Sequence, residues 1–541
     1  MIPVLIVGGG PVGLALAIEL GSRGVPCTLI EQGDGRIVDA KMFATGIRTL
    51  EFCRRWGIAG KVRDWGFPRD FPFDNVFVTS LAGYELARIP MPSIEATPPI
   101  EQSPENFAHC PQFVFDRILV EKVRTLPAVT LRYNSRLQEF TQHADHVEAK
   151  LENGEVIRAR YLAACDGYSS TVRKQLGIAM QGDEHLNRAI NVMFRTENLS
   201  ALHDKGNAGR YVTIGTEGPW ASLTAADGHT RWRLMLYEDK LKPEEAVRAA
   251  VGRDFPFEIL SVGTWVRRNL VAERYREGRV FLAGDAAHVM PPNGGLGMNT
   301  GIGDAVDLGW KLAAVLAGWG GEGLLASYET ERRLAGRRAC EEAMKNFERI
   351  TPRRHFPHIN DDSPDGRKTR EELGAKLSVS MRNAWDNPLN THLGYRYEGS
   401  PVCIPDGAPP PEPEDSRLYV QSSHPGGRAP HAWLADGRST LDLFGDGFTL
   451  LDFGGPEESL PASPMPLKTV AIHDPAIGRL YERRYVLVRP DGHVAWRADR
   501  LPADLQPVLD RVRGASAGEA QKKEDIGLQV PSAKTGQVRH R

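Results

Sequence analysis

The residues from Phe281 to Leu312 (FLAGDAAHVMPPNGGLGMNTGIGDAVDLGWKL) combine a strand, a turn rich in glycine and proline, and a helix. The apolar run ends at Gly284 and Asp285, and Pro291 and Pro292 follow before the helix begins. Glycine and proline at this density between two elements indicate that the backbone comes close to another molecule. Asp285 could accept a hydrogen bond from a hydroxyl group of that molecule while it also caps the local turn. The stretch therefore predicts a ligand site.

The helix of this stretch begins at Gly297, Met298 and Asn299. The backbone N–H groups at a helix start have no partner within the helix and carry partial positive charge. Such an end can stabilise a negative charge without an ionisable side chain, which explains why glycine and backbone dominate here. His288 could act as a base, but we interpret it as a residue that packs or forms hydrogen bonds within the loop.

A second glycine motif, GGGPVG, lies near the N-terminus, between the apolar run Pro3–Val7 and a helical stretch. In a strand–helix–strand unit, the first glycine allows a tight turn, the second admits a pyrophosphate, and the third packs helix on strand. The helix N-terminus faces the phosphates, and an acidic residue after the second strand binds a ribose. This unit alone does not distinguish FAD from NAD. The residues predicted to contact a dinucleotide are Gly8, Gly10, Pro11, Val12, Gly13 and Glu31.

A third motif follows the apolar run Tyr161–Cys165, where the chain continues with Asp166 and Gly167. An Asp–Gly pair after a strand is often an ordinary turn. We favour a binding motif because Ser170 and Arg173 follow it in the same segment.

In chain order, GGGPVG, the Asp166 motif and the Asp285 stretch resemble the motifs of the class A flavoprotein aromatic hydroxylases, which have the p-hydroxybenzoate hydroxylase fold. The resemblance covers the chain up to a proline-rich linker. It implies that GGGPVG holds the ADP half of FAD, that Asp166 serves FAD and the transient binding of NADPH, and that Asp285 holds the ribityl chain. It also implies that the helix start at Gly297 points at the pyrimidine side of the flavin. Pro291 and Pro292 would lie beside the position of the flavin hydroperoxide.

The resemblance implies further cofactor contacts. Gln112 and Arg117 stand at the start of an amphipathic helix, where the family uses a glutamine near the ribityl chain or the isoalloxazine. Lys41 is a basic residue before a helix, placed to contact flavin or substrate, and Leu137 is a further expected contact. Where phenol hydroxylases carry an acid or a histidine that deprotonates the phenol, this chain has Phe43 or one of its neighbours Met42 and Ala44, and none of them is a base. The substrate could therefore bind already ionised, be electron-rich, or find its base elsewhere.

Between the Asp166 motif and the Asp285 stretch, four segments alternate apolar and polar residues, as strands of a one-faced sheet do. The resemblance places the substrate between such a sheet and the flavin. Arg233 is the strongest candidate, because a partly buried cation on a sheet needs a reason, and it could hold a phenolate or a carboxylate. The predicted catalytic residues are Arg233, Pro291 and Pro292. The residues predicted by alternation to face the cavity are Asn191, Met193, Tyr211, Thr213, Leu223, Arg233 and Met235.

Composition limits the partners and the cell compartment. The chain has 541 residues, a formal net charge of −2 and no basic tract, which argues against a nucleic-acid partner. The six cysteines are scattered without a CxxC pair, which argues against disulfides or a zinc site and is typical of a reducing cytoplasm. Glycine interrupts the apolar N-terminal run, so we expect no integral membrane association. We assign HFPHINDD to a solvated loop and predict no metal site.

The predicted fold combines α/β and α+β domains: a Rossmann-like FAD-binding domain with an inserted β-sheet substrate domain, and a C-terminal thioredoxin-like domain. The last resembles the domain appended to phenol hydroxylases and to flavin enzymes of polycyclic antibiotic biosynthesis. Without CxxC it cannot do thioredoxin chemistry, which favours a structural or oligomerisation role. The predicted segments are 1–70, 107–180 and 276–400 for FAD, 71–106 and 181–275 for substrate, 401–416 as linker, 417–515 as thioredoxin-like domain and 516–541 as disordered tail.

The resemblance implies an FAD-dependent, NAD(P)H-consuming monooxygenase that hydroxylates a phenolic or polycyclic aromatic through a flavin C4a-hydroperoxide, with O2 as co-substrate. Baeyer–Villiger oxidation, epoxidation or oxidative decarboxylation of a polycyclic intermediate are the alternatives on the same scaffold, because the motifs bind cofactor and not substrate. An NAD-dependent dehydrogenase would leave the Asp285 loop unexplained. A non-catalytic flavin-binding protein is the remaining alternative, and the sequence leaves a homodimer open.

Overall fold

The structure is a computed structural model, and it describes residues 1–36, 42–197, 199–238, 240–350, 355–385, 389–412, 418–454, 463 and 465–515. Lys41, the end of the predicted linker and the whole predicted tail 516–541 lie outside the described residues. Among the helices that the structure describes, none is both long and apolar enough to cross a membrane.

The described residues form strands in three sheets of four or more strands and in one two-stranded ladder. The strands are β1 (Ile2–Val7), β2 (Cys27–Ile30), β3 (Ala44–Thr45), β4 (Asn75–Val78), β5 (Glu85–Ile89), β6 (Ala108–His109), β7 (Val129–Arg132), β8 (Leu137–Gln142), β9 (Val147–Leu151), β10 (Val156–Ala164), β11 (Met180–Arg195), β12 (Arg210–Gly215), β13 (Gly218–Ala225), β14 (Arg231–Leu236), β15 (Glu258–Ala272), β16 (Arg276–Glu277), β17 (Val280–Leu282), β18 (His288–Val289), β19 (Phe448–Asp452), β20 (Leu467–Ala471), β21 (Tyr485–Val488) and β22 (Val494–Ala498).

Helices alternate with the strands of the N-terminal part and then form a longer helical stretch in the middle of the chain. They are α1 (Pro11–Ser22), α2 (Ile47–Arg55), α3 (Ala59–Arg63), α4 (Gln112–Arg124), α5 (Thr171–Gln175), α6 (Pro243–Val251), α7 (Leu296–Leu316), α8 (Glu322–Ile350), α9 (Pro364–Trp385), α10 (Leu389–Leu393), α11 (Pro475–Tyr481) and α12 (Gln506–Val512). Short 3-10 turns cover Leu199–Leu202, Gly284–Ala286 and Thr440–Leu443.

The first sheet has the order β16-β17-β10-β1-β2-β7, with β1, β2, β7, β10 and β17 in parallel, and β8 and β9 extend β10 as an antiparallel arm. Its central strands are continuous apolar runs because helices α1 and α7 cover the sheet. The carboxyl ends of β1, β10 and β17 lead into Gly8, Asp166 and Gly284. The three sequence motifs therefore meet at one edge, where open α/β sheets bind their ligands.

The second sheet has the order β18-β15-β11-β14-β13-β12-β4-β5 and is antiparallel apart from the β4–β12 pair. Strands β4 and β5, from the predicted 71–106 segment, lie in the same sheet as the strands of the 181–275 segment. Helix α6 packs with the apolar residues on one face of this sheet. Strand β18 comes from the Asp285 loop and pairs with β15, so the loop physically joins the two sheets.

The C-terminal region forms a four-stranded sheet in the order β20-β19-β21-β22, with β19 and β20 parallel and the other neighbours antiparallel. Apolar residues of this sheet pack with Trp310 and Leu324 of helices α7 and α8. The predicted combination of a FAD-type α/β domain, a β-sheet region and a small α/β region is confirmed. The thioredoxin-like nature of the C-terminal region and the limits of the domains stay predictions.

Candidate active site

A cavity of about 2420 Å³ lies between the carboxyl edge of the first sheet and one face of the second sheet. Helix starts, the Asp285 loop and sheet strands all contribute to its wall. Its lining includes Gly10, Gln112, Tyr168, Arg233, Asp285 and Pro292. Residues from the three motifs and the strongest substrate candidate therefore share one space.

The β1–α1 turn leaves room for a group only at its middle glycine. Gly8 has φ +107°, and a Cβ there would lie 2.3 Å from the Cys165 carbonyl oxygen. A Cβ on Gly13 would lie 2.0 Å from the carbonyl oxygen of Gly8, so helix and strand meet backbone to backbone. A Cβ on Gly10 would meet no atom within 4 Å, and Gly10 lines the cavity together with Pro11 and Val12. This open position next to the N-terminus of α1 fits a pyrophosphate.

Glu31 holds the turn beside this position. Its two carboxylate oxygens accept backbone N–H groups, from Gly9 at 2.7 Å and from Gly33 at 2.8 Å. Each oxygen keeps a further lone pair that a hydroxyl group could use. The ribose contact of Glu31 stays a prediction, and the structure shows what fixes the carboxylate in place.

A buried carboxylate on α7 holds the Asp285 loop in place by hydrogen bonds. Asp304 accepts the N–H of Gly284 at 2.9 Å, the His288 ring N–H at 2.7 Å and the Nε–H of Arg332 at 2.8 Å. Burial would raise the pKa of Asp304, but His288 and Arg332 lower it, so the carboxylate is ionised. His288 therefore forms a hydrogen bond that packs the loop, as interpreted from the sequence. Asp285 itself is exposed to the cavity.

The N-terminus of α7 faces the cavity through Gly297 and Met298, and Pro291 and Pro292 line the same wall. Asn299 does something different from the predicted cofactor contact. Its side-chain oxygen accepts the N–H of Gly46 at 2.8 Å and the hydroxyl of Thr49 at 2.7 Å, and its amide donates to the Gly295 carbonyl at 2.6 Å. The Asn299 side chain thus joins α7 to α2.

Besides Gly8, Gly13, Glu31 and Asn299, three further predicted cofactor residues do not line the cavity. Arg117 is exposed on α4, because five residues after Gln112 place it about 140° further round the helix. Leu137 packs in the core beside the first sheet. Asp166 accepts the N–H of Val172 at 3.3 Å at the start of α5, and burial raises its pKa. The cavity wall after β10 is formed by Gly167 and Tyr168 instead.

Gln112 reaches the cavity as the first residue of α4. Its side-chain amide donates to Asp116 at 3.3 Å, one turn along the helix. Gln112 thus lies at the cavity wall, and its contact near the ribityl chain or ring stays a prediction.

Arg233 on β14 faces the cavity from the substrate side. Its guanidinium lies 4.3 Å from the ring centre of Phe43, and its Nε has no hydrogen-bond partner among the described residues. Burial, together with the neighbouring Arg210, lowers the pKa of Arg233 to about 9, so the group stays cationic at neutral pH. Among the described residues no carboxylate forms an ion pair with it. A half-buried cation that has no ion-pair partner among the described residues indicates a site for an anionic group.

The alternation pattern placed only part of the cavity wall correctly. Asn191, Arg233 and Met235 line the cavity, whereas Met193 packs against Phe43. Strands β12 and β13 have the opposite orientation from the predicted one, since their cavity-facing residues are Arg210 and Thr224, which pair across the two strands. Both faces of these strands are covered and carry apolar residues. The alternation of apolar and polar residues therefore does not show which face is turned toward the cavity. The predicted residues that lie away from the cavity are Met193, Tyr211, Thr213 and Leu223.

His109 on β6 is a cavity residue that the sequence did not reveal. Its ring stacks at 5.8 Å from Phe43, and its strand partner is Ala44. Burial lowers the pKa of His109 to about 4, so the ring is neutral, and its Nε2 has no hydrogen-bond partner among the described residues. Only the pairing of β3 with β6 brings the histidine to the place where Phe43 stands instead of a base.

The comparisons with known proteins agree with this geometry. Residues 1–343 match the family model for the FAD binding domain, and residues 422–516 match that for the aromatic-ring hydroxylase C-terminal region. Tetracenomycin B2 monooxygenase-dioxygenase of Streptomyces olivaceus is 34% identical over 94% of this chain and 98% of its own.

Two solved structures are similar along nearly the whole chain. RebC, soaked with chromopyrrolic acid and holding 7-carboxy-K252c, has a TM-score of 0.87 and 42% identity, covering 95% of this chain and 99% of its own. Aklavinone-11 hydroxylase in complex with FAD and aklavinone has a TM-score of 0.78 and 30% identity, covering 94% and 98%. This chain belongs to the FAD-binding aromatic-ring hydroxylase family and is a flavin-dependent monooxygenase.

Proposed function

We propose that the protein uses FAD, NAD(P)H and O2 to oxidise a polycyclic aromatic substrate that carries an anionic group. The observation that carries this proposal is the continuity of one cavity of about 2420 Å³ from Gly10 to Arg233. The volume exceeds that of ordinary ligand pockets, which hold roughly 300–1,000 Å³. It is large enough for a dinucleotide and a multi-ring substrate together.

We propose that the cofactor end binds FAD through backbone groups. The turn at Gly10 and the N-terminus of α1 would hold the pyrophosphate, Glu31 the ribose, and Asp285 the ribityl hydroxyls. The N–H groups at Gly297 and Met298 would face the pyrimidine side of the ring. Bound FAD supplies the hydride and oxygen chemistry, and the protein supplies orientation and electrostatics.

The substrate end would orient and desolvate the ring that reacts. Arg233 would bind a carboxylate or phenolate of the substrate by charge-assisted hydrogen bonds. The Nε2 of neutral His109 would accept a hydrogen bond from an O–H or N–H group of the same substrate. Phe43 and Phe73 offer apolar surface for the aromatic rings, and Pro291 and Pro292 close the wall between substrate and flavin. Excluding water here protects reactive intermediates from side reactions.

The compound names of one similar structure support an acidic substrate. RebC was soaked with chromopyrrolic acid and holds a carboxylated compound. A carboxylate bound at Arg233 also makes oxidative decarboxylation the second candidate reaction, because such a substrate carries its own leaving group. His109 beside Phe43 is a weak base because its pKa is lowered to about 4, which favours this alternative over base-assisted phenol hydroxylation.

We also propose the division into a FAD-binding part, 1–70, 107–180 and 276–400, and a substrate part, 71–106 and 181–275. The location of β4 and β5 in the second sheet supports it. A cytoplasmic location and a homodimer stay predictions.

The test is to purify the full chain, record its visible spectrum, and measure NADPH and NADH oxidation with a panel of compounds. The panel pairs each polycyclic aromatic carboxylic acid with its uncharged amide and includes simple phenols. We expect flavin absorption bands and faster oxidation with the acids. Product mass separates oxygen insertion from loss of carbon dioxide. A protein without flavin, or one that oxidises acids and amides equally, would contradict the proposal.

A further inference from the structure

The turn between β21 and β22 carries Arg489, whose guanidinium is fully buried. It donates to both oxygens of Glu331, at 2.7 and 2.9 Å, and to Asp307 at 2.8 Å. It also donates to Asp491 of the same turn at 2.7 Å. Lys311 donates to Asp307 at 2.8 Å and to Glu331 at 2.6 Å. We call these five residues the buried charge cluster.

The buried charge cluster contains more negative than positive groups. Asp307, Glu331 and Asp491 are its carboxylates, and Lys311 and Arg489 are its cations. Burial raises the pKa of Asp307 to about 7 in spite of both cations, whereas burial is outweighed at Glu331, whose pKa the same cations lower to about 2. Without Arg489, three buried carboxylates would face one ammonium group. Removing one partner of a buried ion pair is strongly destabilising, since the remaining charge is uncompensated.

The buried charge cluster is connected to the flavin end of the cavity through α7. Asp307 and Lys311 lie on the same helix as Asp304, which anchors the Asp285 loop through the N–H of Gly284. The first turn of that helix lines the cavity, about 21 Å along the axis from Lys311. A helix is stiff over this length, so a displacement at the cluster moves the helix start that faces the cavity.

The same turn also holds α2. Arg48 donates to the carbonyl of Asp491 at 2.6 Å, and Arg55 donates to the carbonyl of Pro490 at 3.0 Å. The N-terminus of α2 lies beside Asn299, whose side chain accepts the N–H of Gly46. The turn therefore fixes both helices that meet at Asn299, next to the cavity.

We propose that Arg489 is a positioning residue through which the C-terminal region holds the start of α7 against the flavin. The proposal rests on the FAD site proposed above, and it gives the region without a CxxC pair a defined role. Arg489 does not line the cavity, so its effect on the cofactor would be transmitted entirely through α7 and α2.

The test compares Arg489→Met with Arg497→Met in the full chain. Arg497 is a matched control because it is also buried, yet its hydrogen bonds within the described part of the chain all go to the C-terminal residues Asp406, Ser423 and Glu482. The measurements are the FAD dissociation constant from fluorescence quenching, the midpoint potential of bound flavin, and the unfolding temperature. We expect Arg489→Met to weaken FAD binding about tenfold and to make the potential more negative. Arg497→Met should lower the unfolding temperature only.

A charge-balanced variant separates positioning from simple loss of stability. Asp307→Asn combined with Arg489→Met removes one carboxylate together with one cation and leaves two carboxylates and one ammonium. We expect it to unfold at a temperature closer to that of the natural protein than Arg489→Met does, and to keep the weak FAD binding of Arg489→Met, because the link from the C-terminal region to α7 is still missing. If it binds FAD as the natural protein does, or if Arg489→Met binds FAD normally, the proposal is wrong. Failure of the unaltered protein to bind FAD would instead contradict the proposed function.

Discussion

The two ends of the cavity differ in the groups that line them: backbone groups at one end and polar side chains at the other. At the cofactor end, backbone N–H groups and glycines line the wall, and charged side chains such as Glu31 and Asp304 hold the turns from behind. At the substrate end, Arg233 and His109 lie on strands far apart in sequence, and each has a nitrogen without a hydrogen-bond partner in the part of the chain that the structure describes. A substitution replaces a side chain and keeps the backbone groups. A site built from backbone groups therefore suits a cofactor that stays the same as the sequence varies, whereas a site built from side chains can acquire affinity for a different ligand.

The largest effect is expected for Gly13→Ala at the cofactor end. The new Cβ would lie 2.0 Å from the Gly8 carbonyl oxygen, so α1 must move away from β1. We expect a loss of about 3 kcal/mol in the free energy of unfolding of the flavin-free protein, and no flavin after purification.

Gly10→Ala is the control for that substitution. Its Cβ meets no atom within 4 Å, so the flavin-free protein should unfold as the natural one does, while FAD binding weakens. Denaturant unfolding and FAD titration measure the two effects. Equal losses of stability in the two variants would show that the middle glycine is not the open position.

The next effect is expected for Arg233→Met at the substrate end. It removes a charge-assisted hydrogen bond to an anion, so kcat/KM for a carboxylated substrate should fall about a hundredfold. The FAD dissociation constant should not change, because the two ends are separate walls. Arg233→Lys should recover part of the activity. Weakened FAD binding in Arg233→Met would break the comparison by showing that the substrate wall also holds the cofactor.

His109→Phe should have a smaller effect, about tenfold in kcat/KM, restricted to substrates with an O–H or N–H group near the anion. Phenylalanine keeps the stacking on Phe43 and removes the acceptor. The folded-state pKa of about 4 lies below the usual value of 6.5, so the folded protein binds fewer protons than the unfolded chain. The natural protein therefore loses stability as pH falls from about 6.5 toward 4.

The variant should lose less stability than the natural protein over that window, which thermal unfolding at several pH values measures. An identical pH dependence of the two proteins would contradict a neutral buried histidine. Equal rates with all substrates would contradict its role as an acceptor.

The same difference between the two ends explains what the sequence could predict. Gly8, Gly10 and Gly13 act within one strand–turn–helix unit, so their spacing alone fixes their geometry. The parallel sheet then brings the three motifs to one edge, as its strand order requires. The arrangement of the cofactor end therefore follows from residues that are close together in sequence.

The residues that line the substrate end are harder to predict, because their positions depend on pairing between segments that are distant in sequence. His109 reaches Phe43 only through the β3–β6 pair, and the parity of β12 was wrong because both faces of the strand are covered. The buried charge cluster was also missed, since Arg489 and Asp307 are 182 residues apart. Contacts of this kind follow from tertiary packing and leave no local spacing to read.

The smallest effect is expected for Arg117→Ala, which tests a residue carried over by resemblance alone. The side chain is exposed on α4, about 140° round the helix from Gln112, which lines the cavity. We expect the FAD dissociation constant to stay within about twofold, as for an ordinary surface substitution, whereas Gln112→Ala should weaken binding. Fluorescence titration of the two variants side by side measures the difference. A large loss in Arg117→Ala would mean that a charged side chain reaches the cofactor end, which would contradict its description as a backbone site.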